Sequence, residues 1–341
     1  MLSFTDDADG VTARFATSEG KQTLRARWLV GADGARSPVR KACGITFEYL
    51  GFKEPWLVVD VLFYDPVRLP TANLQICDPA RPTTCVLMGE GRHRWEFMIL
   101  PGETPEQVSA DSAVERMLAP WKVDGAVRIE RKAVDTFRAR IADQWRKDRV
   151  LLAGDAAHQT PPFAGQGMCS GLRDAANLAW KLAAVTKGKV DQALLDTYQP
   201  ERAPNLRATI DMAIMMGQMV CTTSRLGAAL RDMKFSLARM IGELPDGPPA
   251  YPPIGAGAIL AGSRGAGSYF PQVVASDGSR LDDVLGPGVW LITRDDLGEG
   301  RLAPFAAPLR KWLDHQSVET VLVRPDRYVF GTGAPLALEA R

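Results

Sequence analysis

Val150–Ala184 reads VLLAGDAAHQTPPFAGQGMCSGLRDAANLAWKLAA, and the fold turns on how it is read. The apolar run Val150-Leu151-Leu152-Ala153 suits a buried strand. Gly154-Asp155 then makes a sharp turn and leaves a carboxylate at the strand's C-terminal end. A loop with Pro161 and Pro162 follows and ends in Gly165-Gln166-Gly167. From there Met168, Leu172, Ala175, Ala176, Ala179, Leu182 and Ala183 recur at helical spacing. A strand, an acid and a glycine-rich loop opening a helix offer a carboxylate to ribose hydroxyls and bare N–H groups to an anion. An ordinary strand–loop–helix of an α/β protein accounts for the same pattern, because a short motif is only a hypothesis.

Bulk properties narrow the class. A chain of 341 residues suggests two domains, and 46% hydrophobic with 24% charged residues is a globular composition. A net charge of +1 gives no reason to expect a nucleic-acid or membrane-surface partner. Cys43, Cys77, Cys85, Cys169 and Cys221 form no Cys-x-x-Cys pair and no disulfide framework, so reduced thiols and a cytoplasmic location are expected. The acidic start Met1–Asp7 has no apolar core of a signal peptide. No metal site is expected.

Upstream, Val11–Phe15 and Leu24–Val30 alternate around a turn at Ser18–Lys21, predicting a hairpin that runs into a buried strand at Trp28-Leu29-Val30. Asp33-Gly34 is a tight turn at that strand's end. Ser37-Pro38 predicts a helix start, with Arg36 and Arg40 adding positive charge. Taken alone, Asp-Gly is a common turn signal.

Together the two segments resemble one family. LVGADGARSPVRKACGI and DRVLLAGDAAHQTPPFAGQGMCSGLRDAANLAWKLA look like the two internal fingerprints of the class A FAD-dependent aromatic-ring hydroxylases. Tyr198-Gln199-Pro200-Glu201-Arg202 extends the likeness. Gly262-Ser263-Arg264, Phe270-Pro271-Gln272, Leu281–Gly286 and Leu322–Asp326 resemble the C-terminal thioredoxin-like domain of the phenol-hydroxylase branch. Within the family the chain looks closest to 3-(3-hydroxyphenyl)propionate hydroxylases.

The resemblance implies an α/β chain of mixed α+β character. Residues 1–44 and 136–243 would form a Rossmann-like FAD/NAD(P)-binding domain, and 45–135 an antiparallel substrate-domain sheet. Residues 244–257 would be a linker, and 258–341 part of a thioredoxin-like domain. It implies FAD as cofactor, NAD(P)H and O2 as co-substrates, and a small phenolic substrate hydroxylated by a C4a-hydroperoxyflavin; a homodimer is left open. Asp155 would accept bonds from a flavin ribityl or ribose hydroxyl, and Gly154 would let the backbone approach closely. Pro161, Pro162 and Phe163 would lie beside the isoalloxazine. The amides of Gly165, Gln166, Gly167 and Met168 would face its N1–C2=O edge. Asp33, Gly34 and Arg36 would serve the pyrophosphate side and the NAD(P)H path. His158 would bond the cofactor or fix its loop, while Arg173 and Asn177 would be structural. No residue is assigned as the substrate base, since Tyr49 and Tyr64 match no motif.

One fingerprint of the family is not found. Gly165-Gln166-Gly167 and Gly255-Ala256-Gly257 fail the G-x-G-x-x-G spacing that opens a dinucleotide-binding βαβ unit. The expectation is therefore a Rossmann-like domain lacking its first βαβ unit, in an N-terminally truncated chain. A non-catalytic remnant unable to hold FAD alone is the alternative. A flavin halogenase is disfavoured, because Trp-x-Trp-x-x-Ile does not occur.

Overall fold

A computed structural model describes residues 2–64, 69–89, 91–242 and 251–333. β1 (Ser3–Asp6), β2 (Val11–Thr17) and β3 (Gly20–Ala26) form an antiparallel meander in chain order. The expected hairpin is thus present, with one more strand before it. β4 (Leu29–Gly31) follows, but Val30 is 38% exposed, so this strand is not wholly buried. α1 (Pro38–Ala42) begins as its sequence dictates, with Ser37 Oγ accepting from Arg40 N at 2.9 Å and Pro38 in the first turn.

β5 (Phe47–Phe63), β6 (Leu74–Ile76), β7 (Thr83–Leu87) and β8 (Arg92–Met98) come next. α2 (Pro105–Ser109) and α3 (Asp111–Leu118) precede β9 (Val127–Ala142), β10 (Arg146–Lys147), β11 (Val150–Leu152) and β12 (His158–Gln159). Six of these strands make one sheet in the order β12-β9-β5-β8-β7-β6. The expected domain boundary at residue 135 falls inside β9, which stays paired with β5 as far as Ala142.

Register sorts the two faces of this sheet, because directly paired residues share a face. Leu57, Val59, Val61, Cys85, Trp95 and Phe97 form one face and bury themselves against Val108, Val114 and Leu118 of α2 and α3. The opposite face carries Trp56 opposite Met98, Val58 opposite Glu96, and Thr84 on the other side of Glu96. That second face meets the Pro161–Ala164 loop: Phe163 packs at 5.6 Å from Trp56 and 5.9 Å from Phe137.

α4 (Gly167–Thr186), α5 (Tyr198–Val220) and α6 (Arg225–Met240) follow the loop. α4 corrects the sequence reading of its own face. Its apolar stripe points outward, with Met168 76% and Leu172 61% exposed, while Ser170, Asp174, Asn177, Leu178 and Lys181 are buried. The polar face can go inward because every buried charge there is paired: Asp174 with His158 and Arg202, and Lys181 with Glu201.

The last unit holds α7 (Leu281–Leu285), β13 (Trp290–Thr293), α8 (Ala306–Gln316), β14 (Thr320–Val323) and β15 (Val329–Gly333). Its sheet is antiparallel in the order β13-β14-β15, over a core of its own that includes Phe270, Trp290, Phe305 and Leu313. Of the expected linker, residues 244–250 lie outside the described residues. Residues 251–257 are docked rather than free: Ile254 is buried, Gly255 N donates to Glu201 O at 2.8 Å, and a Cβ on Gly255 would lie 2.2 Å from Pro200 O. No helix among the described residues is long and apolar enough to cross a membrane.

Candidate functional site

β4 and β11 are parallel neighbours, with Leu29 opposite Val150 and Gly31 opposite Leu152. The turn after each strand therefore leaves at the same end of the sheet, where open α/β sheets place their ligands. Far apart in sequence, the Asp33-Gly34 and Gly154-Asp155 turns become neighbours, and Ala153 N bonds Gly31 O at 3.0 Å.

Arg40 ties the two turns together. Its Nη1 donates to Ala156 O at 3.0 Å and its Nη2 to Ala35 O at 3.3 Å, with the guanidinium 3.8 Å over the Phe47 ring. The side chain is buried, and burial pulls its pKa down from the usual arginine range while Asp33 pushes it up. The sequence presented Arg40 as one more positive charge beside a turn. Its role as a cross-tie needed the parallel pairing to be seen.

Asp33 is exposed, and its Oδ2 accepts from Val39 N at 3.0 Å, so it helps to fix the start of α1. Gly34 has a φ of 82°, and Arg36 is exposed.

In the second turn, Gly154 has a φ of 59°. A Cβ on Gly154 would lie 3.8 Å from the Gly171 Cα, and one on Gly171 would lie 3.3 Å from the Gly154 Cα. The turn thus rests directly on α4, backbone to backbone. Asp155 is exposed at the lip of this turn. Gly165 has a φ of 63° and swings the chain into the first turn of α4. The first N–H groups of a helix have no intrahelical acceptor and carry its positive dipole end. No side chain caps them here. Gln166 stands at the cap position, but its Oε1 accepts from Tyr251 OH instead. Gly167 adds no bulk, since a Cβ there would project into open space.

The placement of His158 suits the second of its two expected roles, fixing the loop, while the expectation for Phe163 changes. His158 is fully buried and does not face the open side of the loop. Its Nε2 contacts Asp174 Oδ2 at 2.6 Å and its ring packs 5.7 Å from Trp145, so it anchors the loop from below. Phe163 also turns inward, into a cluster with Phe52, Trp56 and Phe137, while Pro161 is buried and Pro162 exposed. Gln75 Nε2 donates to Phe163 O at 2.9 Å and pins the loop to the sheet.

Asp174 is the residue that sequence reasoning missed. Its Oδ2 accepts from Gly154 N at 3.1 Å as well as contacting His158, and its Oδ1 accepts from Arg202 Nε at 2.9 Å. Burial acts to raise the Asp174 carboxyl, but His158 and Arg202 outweigh it and hold the group below the usual aspartate range. One carboxylate thereby fixes the turn, the loop histidine and α5. A signal existed in Arg202, which the family likeness singled out without a role. Asn177, expected to be structural, bonds Glu201 and Asp326, and Arg173 lies 3.7 Å over the Tyr251 ring.

The methionines of α5 are not plain core. Met212, Met215 and Met216 line a cavity of about 370 Å³ with Phe163, Ala164 and Gln166, beside the same loop.

This donor set fits FAD. An exposed carboxylate, two left-handed glycines that keep the backbone bare and an uncapped helix start match a cofactor with hydroxyls and an anionic edge. Comparison with known proteins agrees. The family model described as FAD binding domain matches residues 1–213. A 3-(3-hydroxy-phenyl)propionate/3-hydroxycinnamic acid hydroxylase of Klebsiella pneumoniae is 34% identical over 99% of this chain and 70% of its own length. A probable NADH-specific resorcinol 4-hydroxylase of Rhodococcus jostii is 37% identical over 95% of this chain and 66% of its own. Among solved structures, aklavinone-11 hydroxylase in complex with FAD and aklavinone superposes with a TM-score of 0.76 at 25% identity, over 99% of this chain and 72% of that one.

Proposed function

The chain belongs to the FAD-binding-domain family of aromatic hydroxylases, and from that premise we propose that it hydroxylates a small phenolic substrate with NAD(P)H and O2. The observation that carries this reading is the shared end of β4 and β11, where the exposed Asp155 follows the Gly154 turn that rests on α4, a helix whose start no side chain caps. FAD, when bound, supplies electron transfer from the nicotinamide and the activation of oxygen.

The chain's own residues bind and orient. Asp155 accepts from cofactor hydroxyls, and its charge strengthens those bonds. The amides of Gly167 and Met168, at the positive end of the α4 dipole, would hold an anionic part of the cofactor. Gly34 and Arg36, beside Asp33, serve the phosphate side. His158, Asp174 and Arg40 hold the two turns in register without touching the cofactor. The cavity lined by Met212, Met215 and Met216 beside the loop would exclude water from a ring bound there.

Two substrate classes are carried by the relatives, an arylpropionate phenol and resorcinol. The purified protein, loaded with FAD, is to be given NADH or NADPH and a panel of phenols that includes both. Uptake of FAD with substrate-dependent NAD(P)H oxidation and a hydroxylated product supports the reading. A protein that takes up no added FAD, or oxidises nicotinamide without hydroxylating any phenol, refutes it.

A further inference from the structure

Among the described acids on the sheet face that meets the Pro161–Ala164 loop, one is buried and makes no hydrogen bond. Glu96, on β8, is only 6% exposed. Its sole charged contact is Arg94 Nη1 at 4.0 Å, and among the described residues no hydrogen bond reaches its carboxylate. Arg94 is already committed, donating to both carboxylate oxygens of Asp60 at 2.6 and 3.1 Å. Directly across from Glu96, Thr84 Oγ1 is buried and has no partner among the described residues. A deeply buried carboxylate whose nearest cation is 4.0 Å away, beside a buried hydroxyl without a partner, marks a place for a ligand.

Their position says which ligand. Gln75 lies in the same row of the sheet, opposite Thr84, and it is the residue whose amide holds Phe163 O. One strand away on the same face is Trp56, which packs against Phe163. Glu96 and Thr84 therefore lie on the floor spanned by the loop's two anchor points.

Resting on the hydroxylase reading above, we propose that Glu96 receives the phenolic hydroxyl of the substrate, with Thr84 beside it as a second hydrogen-bonding partner. The phenolic O–H bond breaks as a carboxyl O–H bond forms on Glu96. The electron pair stays on the phenolic oxygen and conjugates into the ring, which becomes the better nucleophile towards an electrophilic oxygen. Burial pushes the Glu96 carboxyl up to about 7, with Arg94 opposing and Asp60 and Asp135 adding to the rise. A base is most effective when its pKa lies near the working pH.

The charges on this face also fix the orientation of the substrate. Around Glu96 stand Arg94 on its own strand, Asp60 and Glu54 on β5, and Arg131 and Asp135 on β9, with Cys221 near Glu54 at the end of α5. Asp60 is shared between Arg94 and Arg131, and Arg131 also reaches Asp135 at 3.8 Å, so among the described residues of this face no cation is left over. A substrate carboxylate is repelled here. An arylpropionate must enter hydroxyl-first.

The test compares wild type with Glu96→Gln, Glu96→Asp and Thr84→Val. One readout needs no turnover: the ultraviolet difference spectrum of bound resorcinol, which separates phenol from phenolate. The wild type is expected to show a red-shifted band of a phenol hydrogen-bonded to a carboxylate, and Glu96→Gln a band without that shift. On the FAD-loaded protein, kcat/KM of the wild type should fall on the acid side of pH 7. Glu96→Gln should lose that limb and about 10²-fold or more in rate, and Glu96→Asp should keep the limb. Thr84→Val should weaken resorcinol binding without removing the limb. A Glu96→Gln protein with an unchanged band and pH profile overturns the proposal. A Glu96-dependent band shift without any hydroxylation overturns the hydroxylase reading and leaves the Glu96 contact standing. A wild type that binds no phenol overturns both. Because Gln removes only a buried charge, a melting temperature at pH 8 equal to or above that of the wild type shows that the variant is folded.

Discussion

His158 Nε2 lies 2.6 Å from Asp174 Oδ2, and neither side chain has any solvent exposure. The same oxygen accepts the Gly154 amide, so the turn that presents Asp155 is held from below by a single buried carboxylate. Removing one partner of a buried pair leaves the other charge uncompensated, which costs about 3–5 kcal/mol. Asp174→Ala is expected to lose stability on that scale in denaturant unfolding, and any folded fraction to bind FAD more weakly. Asp174→Asn keeps one acceptor and should lose less.

Asp155 makes the opposite prediction. It is exposed and holds up no part of the fold, so Asp155→Ala should change stability by no more than about 0.5 kcal/mol. FAD affinity should drop by roughly 1.5–3 kcal/mol, the worth of a hydrogen bond to a charged group. Titration of flavin fluorescence alongside thermal unfolding separates the two effects. A large loss of stability with unchanged affinity would count against the assigned role.

Gly154→Ala forces a side chain into left-handed backbone, at roughly 1–2 kcal/mol, and brings a Cβ against Gly171. The expected result is lower stability together with weaker flavin binding, seen in the same two assays. Gly165→Ala carries the same backbone cost with open space around its Cβ.

The contact between α4, α5 and the last sheet should set the acid limit of stability. Glu201 is buried between Arg324 at 2.7 Å and Lys181 at 2.8 Å. Burial acts to raise its carboxyl, but Arg324, then Lys181 and Asn177, bring it down to about 2. Lys181 itself falls to about 8, because for the lysine burial outweighs the carboxylate, so Arg324 is the partner that keeps its charge firmly. A carboxyl lowered in the fold contributes stability that is complete above its ordinary value of 4.5 and lost as the pH falls towards 2. Unfolding free energy measured from pH 6 to pH 3 should decline, and Glu201→Gln should flatten the decline while lowering stability at pH 6.

Arg40→Lys keeps a positive charge and gives up the fork that reaches Ala156 O and Ala35 O together. The two turns should come apart in register. Flavin affinity is expected to fall more than stability does, by the same paired measurements.

Local chemistry was legible in the sequence. The Ser37-Pro38 helix start, the β2–β3 hairpin, the glycines at 154 and 165 and the acid at 155 each follow from a residue's own backbone preference or from its immediate neighbours. The family fingerprints then placed the cofactor on them. The facing of α4 was not legible. Its stripe of Met168, Leu172 and alanines looks like a core face, and hydrophobicity alone would bury it.

Which face of α4 goes inward was decided by charges far away in sequence. His158, Glu201 and Arg202, with Arg324 and Asp326 behind them, converge on Asp174, Asn177 and Lys181 and make a polar interior cheaper than an unpaired one. The same holds for Arg40 and Glu96. One is a cross-tie only because β4 and β11 run parallel, and the other a buried acid only because register sets it opposite Thr84, on the face that meets the Phe163 loop. By itself the sequence determined turns, caps and the acid that ends β11, since those depend on nearby residues. Only the tertiary structure decided which charges meet, because pairing depends on distances that the linear order of the chain does not contain.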